Sequence, residues 1–284
     1  LIQNSNPVFV AKLAVYARNE MHMRSVPLVL VVELAKIYSG DSLISKMIVS
    51  VIQRTDEITE LLAYYQMAND RNGVKKLNRL SKQIQKGLAV SFNKFDEYQF
   101  AKYDRDGAVK LKDALFLIHP KAKDEAQQKL FNKIANDTLQ TPYTWETELS
   151  KLGQLKYANE AEKQKASTQK WEDLIESNKI GYMALMRNLR NILEANVSGF
   201  HVMKVCDYLS NEKAVISSKQ LPFRFLAAYR ELKELKLKYT SMVLDALEDA
   251  VMISAKNVKG FDVNTSVVVA CDVSGSMQKS ISPR

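Results

Sequence analysis

Only two cysteines, Cys206 and Cys271, occur in 284 residues, and both lie in apolar stretches. With no second pair, neither a disulfide framework nor a four-ligand zinc site is expected, and a reducing compartment is implied. Glycine and proline are scarce, at 9 and 6 residues. That leaves too few turns for a sandwich or barrel, which needs one every ~8–12 residues. No apolar run approaches the ~18 residues of a membrane span. The stretch Leu28 to Val32 is typical, bracketed by Pro27 and Glu33. The chain also has no Gly-rich phosphate loop, no Gly-x-Ser-x-Gly elbow and no His/His or His/Glu pair at helical metal-ligand spacing. Nucleotide hydrolysis, nucleophilic catalysis and a helical metal site therefore lack support, and the expectation is a protein that is not an enzyme. The chain starts at Leu1 without methionine and stops at Arg284 soon after a strand-like run, so both ends are expected to be cut.

What is present is a globular composition, 46% hydrophobic and 26% charged, able to bury a large core. Five of the six prolines precede apolar patterns of 3.6-residue period, where the missing N–H of a first helical position costs nothing. They are Pro7, Pro27, Pro120, Pro142 and Pro222, and Thr141 is a candidate N-cap ahead of Pro142. Further helical patterns run from Asp56 to Met67, Gly73 to Val90, Lys110 to Ile118, Ser167 to Asn178, Tyr182 to Ala195 and Thr240 to Asn257. Lys156 to Lys170 is polar and reads as a solvated loop or insert. Short helices in unbroken succession point to an all-α chain of stacked helix pairs, an α-solenoid; without a clean repeat consensus, a compact irregular helical domain is the alternative. The pattern breaks at Val263: Thr265 to Cys271 is a β-branched run of strand length, followed by an Asp-Val-Ser-Gly-Ser loop. The expected division is a helical domain over 1–262 and the start of a second domain over 263–284.

The net charge is +9, and between Arg71 and Lys112 eleven Lys/Arg face four acids. Lys75, Arg79, Lys82 and Lys86 share one helix face by 4-3-4 spacing, opposite Val74, Leu77, Leu80, Ile84 and Leu88. Such a stripe suits a phosphate backbone, supplying affinity without reading sequence, and it is equally the pattern of a solvated lysine face. It continues through Phe92, Phe95, Tyr98, Phe100 and Tyr103, rings able to stack on unpaired bases or to fill a core. His119, followed by Pro120, Lys121 and Lys123, sits at a helix junction where an imidazole can meet a phosphate or a base.

Asp272, Ser274 and Ser276 cluster oxygen ligands suited to Mg²⁺ after a hydrophobic strand. The motif resembles the metal-ion-dependent adhesion site of von Willebrand factor A domains. That resemblance implies further Thr and Asp ligands from later loops, which this chain does not contain, so the fragment is not expected to hold the ion stably.

A helical chain running into such a motif resembles the TROVE module of the Ro ribonucleoprotein family. The residues carrying the likeness are Lys102-Tyr103 with Arg105-Asp-Gly107, KDALFLIHPK (Lys112 to Lys121), ALMRNLRNIL (Ala184 to Leu193), CDYLSNEK (Cys206 to Lys213), LPFRFLAAYREL (Leu221 to Leu232) and LDALEDAV (Leu244 to Val251), leading to VACDVSGSM. Asp104, Ala108 and Val109 depart from the more polar family segment. The resemblance implies a ring of HEAT-like helix pairs, with helices preceding Leu1. It also implies that small Y-like non-coding RNAs bind an outer basic surface and that single-stranded 3′ ends of misfolded RNAs enter a central hole. By it, Lys102, Arg105 and His119 match the segment contacting Y RNA, and Arg187 and Asn188 match an Arg-Asn helix near the cavity. The implied protein is a cytoplasmic monomer for RNA quality control, without DNA or membrane partners; any nuclease activity would belong to a bound exoribonuclease. A helical scaffold for protein partners, its basic stripe merely solvated, is the competing reading.

Overall fold

The computed structural model describes residues 2–69, 80–104, 107–258, 266 and 268. These contain sixteen α-helices, two 3₁₀ segments and no strand. The expected strand at 265–271 and the helix before Ser81 lie outside the described residues or nearly so. Two compact units form, Leu1–Gln154 and Leu155–Arg284.

The first unit carries α1 (Pro7–Asn19), α2 (Ser25–Ile37), α3 (Leu43–Val51), α4 (Asp56–Ala68), α5 (Lys82–Phe92), α6 (Glu97–Tyr103), α7 (Leu111–Ile118), α8 (Glu125–Ala135) and α9 (Trp145–Gly153). Each helix presents one apolar stripe, and neighbours along the chain bury it together: α1 packs on α2 and α3, α2 on α4, α3 on α5, and α7 on α4 and α8. Gly87 lets α5 approach α3, because a Cβ there would lie 2.9 Å from the Ser45 carbonyl and 2.8 Å from Ile48 Cβ. Val31, Ile48, Leu61, Leu88 and Phe92 fill the interior.

The second unit carries α10 (Glu160–Glu176), α11 (Tyr182–Arg187), α12 (Leu189–Glu194), α13 (Gly199–Leu209), α14 (Glu212–Ser218), α15 (Pro222–Leu232) and α16 (Thr240–Ser254). Helix α16 packs on α13, α14 and α15, while α10 packs on α13.

Several local expectations are corrected. Lys156 to Lys170 is mostly helix: Asn159 caps α10 by accepting the Glu162 amide at 2.9 Å, and Glu, Ala, Lys and Gln sustain a helix without apolar residues. Its buried anchor, Trp171, Leu174 and Ile175, comes only in the second half. The cap near Pro142 is Thr144, which forms a reciprocal capping box with Thr147, so Thr141 and Pro142 precede the helix. Pro120 likewise lies in a loop, since Asp124 is the N-cap of α8. Pro7 and Pro222 do start their helices, and Pro27 is the third residue of α2, still within the orphan first turn. The single helix expected from Tyr182 to Ala195 breaks at Asn188 into α11 and α12.

Candidate nucleic-acid interface

Helix α5 buries Ile84, Leu88 and Phe92 and turns Lys82 and Lys86, one helical turn apart, to the exterior. Neither lysine forms an ion pair among the described residues. Gln85, between them, donates from Nε2 to the Ile118 carbonyl at 3.3 Å, tying α5 to the end of α7. The next residue, His119, ends α7 in the left-handed region at φ 51° and is exposed. For a residue with a Cβ this conformation is strained, and a tertiary clamp maintains it. Asn93, at the end of α5, donates from Nδ2 to the Lys121 carbonyl at 2.9 Å, and its Oδ1 accepts the Lys123 amide at 2.9 Å. Lys123 Nζ returns a bond to the Asn93 carbonyl at 3.1 Å. The structure thus joins Lys82, Lys86, His119 and Lys121 on one exposed surface of the first unit.

Lys102 stands elsewhere, on α6, with Nζ 5.7 Å from the Tyr98 ring centre and 5.5 Å from that of Tyr103. The Arg54 guanidinium also covers Tyr103, at 4.3 Å. This cation–aromatic cluster is half exposed, and no described contact links it to the His119 loop. The aromatic run divides by burial. Phe92, Phe95 and Phe100 are core, Phe92 packing 5.7 Å from Phe100 and 5.9 Å from Phe131, and cannot meet a base; Tyr98 and Tyr103 remain accessible.

Some of the charge concentrated between Arg71 and Lys112 is structural. Lys94 Nζ bonds the carbonyls of Val49 and Ile52, closing the C-terminus of α3, and burial pushes its ammonium down from its ordinary value. Lys112 pairs with Asp137 at 2.6 Å. Outside that stretch, Lys133 bonds Glu97 at 2.7 Å, holding the Glu97 carboxyl below the usual range. Lys75, Arg79 and Arg105 lie outside the described residues, as do the proposed metal ligands Asp272, Ser274 and Ser276. Among the described residues no group of three His, Cys, Asp or Glu is placed to hold a metal, and no helix is long and apolar enough to cross a membrane.

In the second unit, Arg187 is exposed but Asn188 is only 4% so. The Asn188 amide donates to the Ala184 carbonyl at 2.8 Å and accepts from Asn191 at 2.9 Å. Its place is in shaping the break between α11 and α12, and Arg187 is the side chain that reaches solvent. Beside it the fold forms a groove of about 620 Å³ in which Arg190, Arg224 and Arg230 join Arg187. Sequence reasoning missed these three. The signal available was the RNLR spacing and the two small alanines, Ala227 and Ala228, between the other two arginines. His201 is buried, with the Ser198 hydroxyl 2.7 Å from Nδ1 and Glu172 and Glu176 each 3.2 Å from its ring nitrogens. Being on opposite sides of the ring, they clamp it and do not form a metal site.

The TROVE domain model matches residues 1–170 and 137–265. Telomerase protein component 1 of Rattus norvegicus is 42% identical over 103 residues, and that of Mus musculus 40%. Each match covers 36% of this chain and 4% of the relative, so only a small part of those proteins is shared. The crystal structure of Deinococcus radiodurans RO (RSR) protein aligns with a TM-score of 0.61 at 17% identity, over 88% of this chain and 56% of that one. That likeness shows a shared helical fold. With both family matches together spanning nearly all of the described helices, the chain belongs to the TROVE domain family.

Proposed function

We propose that this chain is an RNA-binding component of a Ro-type ribonucleoprotein, and that it does not itself catalyse a reaction. The observation that carries the reading is the surface made by Lys82 and Lys86 with His119 and Lys121, where among the described residues the lysines have no carboxylate partner, around a loop fixed by Asn93 and Gln85. Unpaired lysines attract a phosphate backbone and release its counterions, and an exposed imidazole on a strained turn can meet a phosphate or an unstacked base. TROVE membership supports the same reading.

In finer terms, the ligand of this surface is a small Y-like non-coding RNA, with Lys102 and Arg105 extending the contact. Misfolded RNAs would present single-stranded 3′ ends to a central hole of a HEAT-like ring, near Arg187, as part of RNA quality control in the cytoplasm. Residues 263–284 would begin a von Willebrand factor A domain whose Asp272, Ser274 and Ser276 suit Mg²⁺. An exoribonuclease partner would account for any cleavage.

The test is filter binding of a hairpin RNA with a single-stranded 3′ tail at about 50 and 200 mM salt. The native chain should bind with a steep salt dependence. Lys82→Glu with Lys86→Glu should weaken binding and lower the salt slope by about 2. His119→Ser with Lys102→Ala should weaken it further. Equal weak binding by all forms would overturn the reading and favour a scaffold for protein partners.

A further inference from the structure

The groove between α11, α12 and α15 concentrates positive charge to a degree that the fold does not require. Arg187 closes α11, Arg190 follows three residues later beyond the Asn188 break, and Arg224 and Arg230 stand about 9 Å apart along α15 at the ordinary helical rise. Ala227 and Ala228 between them keep the floor low, and Met186 and Leu189 close it from beneath. Arg190 is engaged, its Nε donating to Glu194 at 2.7 Å. Arg187, Arg224 and Arg230 take part in no ion pair among the described residues, and Glu231 is the one acid lining the groove. Like charges held together in a concave site repel one another and raise the local potential, which a bound anion relieves.

The rest of the lining narrows the ligand. It contains no aromatic ring to stack on a base and no Asn, Gln, Ser or Thr to read a base edge. Recognition must therefore come from guanidinium forks, whose geometry matches phosphate oxygens two at a time. A nucleic-acid backbone offers one charge per nucleotide, whereas adjacent phosphates place several charges within a single groove. We propose that the α11–α12–α15 groove is a binding site for a run of adjacent phosphates. Free tripolyphosphate, a nucleoside triphosphate and the 5′-triphosphate end of an RNA share this chemistry. The assignment stands on residues of the second unit alone and does not depend on RNA binding by the Lys82–Lys121 surface.

Titration calorimetry of the whole chain with inorganic tripolyphosphate tests it. A single site is expected, weakened about tenfold for each arginine lost in Arg224→Gln and Arg230→Gln, and unchanged by Lys82→Glu with Lys86→Glu. Arg224→Lys with Arg230→Lys keeps the charge but loses the fork, and should give intermediate affinity; circular dichroism checks that all variants retain their helices. Competition by one oligoribonucleotide carrying either a 5′-triphosphate or a 5′-hydroxyl then identifies the source, an advantage of the triphosphate form pointing to an RNA end and equal weak competition to a free polyphosphate. Absence of tripolyphosphate binding, or binding indifferent to Arg224 and Arg230 but lost with Lys82 and Lys86, would overturn the assignment.

Discussion

Asn93 and Lys123 grip each other in both directions: the Asn93 side chain accepts the Lys123 amide at 2.9 Å, and the Lys123 ammonium donates to the Asn93 carbonyl at 3.1 Å. One side chain at the end of α5 thereby fixes the loop that displays His119 and Lys121, because its Nδ2 also holds the Lys121 carbonyl. Asn93→Ala should cost about 1 kcal/mol of stability, the usual net worth of such bonds. RNA affinity should fall as well, although no cation is removed. Urea denaturation and filter binding read the two effects, and unchanged affinity would separate the loop from the interface.

His119 lends itself to a reversal of the usual relation between stability and function. Its φ of 51° suits glycine better than a residue with a Cβ. His119→Gly should stabilise the first unit by about 0.5–1 kcal/mol while weakening RNA binding. A thermal melt shifted upward together with a higher Kd is the expected pair of results.

Glu57, in the first turn of α4, is fully buried, accepting from Arg18 at 2.5 Å and from the Gln53 and Arg54 amides at 2.8 and 3.0 Å. Glu57→Ala removes the carboxylate partner of the Arg18 guanidinium, leaving it the Nε bond to the Val51 carbonyl, and strands two backbone donors. It should destabilise the first unit by about 3–5 kcal/mol, readable as a lower urea midpoint.

In the second unit, burial pushes the Cys206 thiol up to about 11, from an ordinary 9.0. In a Cys271→Ser background the native Cys206 thiol should therefore react slowly with a disulfide reagent at neutral pH and rapidly once the chain is unfolded. Between these two values the folded form binds more protons than the unfolded one, so stability should fall as pH rises through that window. Cys206→Ser should flatten that part of the pH–stability curve.

Helix α10 depends on its cap because its first half buries so little. Asn159→Ala should cost about 1 kcal/mol and speed amide exchange from Glu160 to Ala166, leaving the Trp171 region protected.

Most helices were legible in the sequence because their apolar stripes recur at 3.6 residues, a local property that tertiary contacts only reinforce. Lys82, Lys86, His119 and Lys121 were legible for a similar reason: charge and position along one helix and one junction are enough to name them. The first half of helix α10 was missed since propensity and an N-cap hold it where no periodic apolar signal exists, whereas its second half falls in the pattern read from Ser167 to Asn178. For the Phe92, Phe95 and Phe100 rings the sequence left stacking and core open, and only the structure places all three in the core, because a sequence shows residue type but not which neighbour consumes it.

The sequence by itself determined the succession of helices up to residue 257 and a positive charge concentrated in one region, since helix periodicity and residue charge are both written locally. The tertiary structure decided which cations remain unpaired, how Asn93 presents the His119 loop, and that Arg187, Arg190, Arg224 and Arg230 share one groove. Those facts depend on pairing residues some thirty or more positions apart, a choice made by the packing of whole apolar faces and not by any short segment.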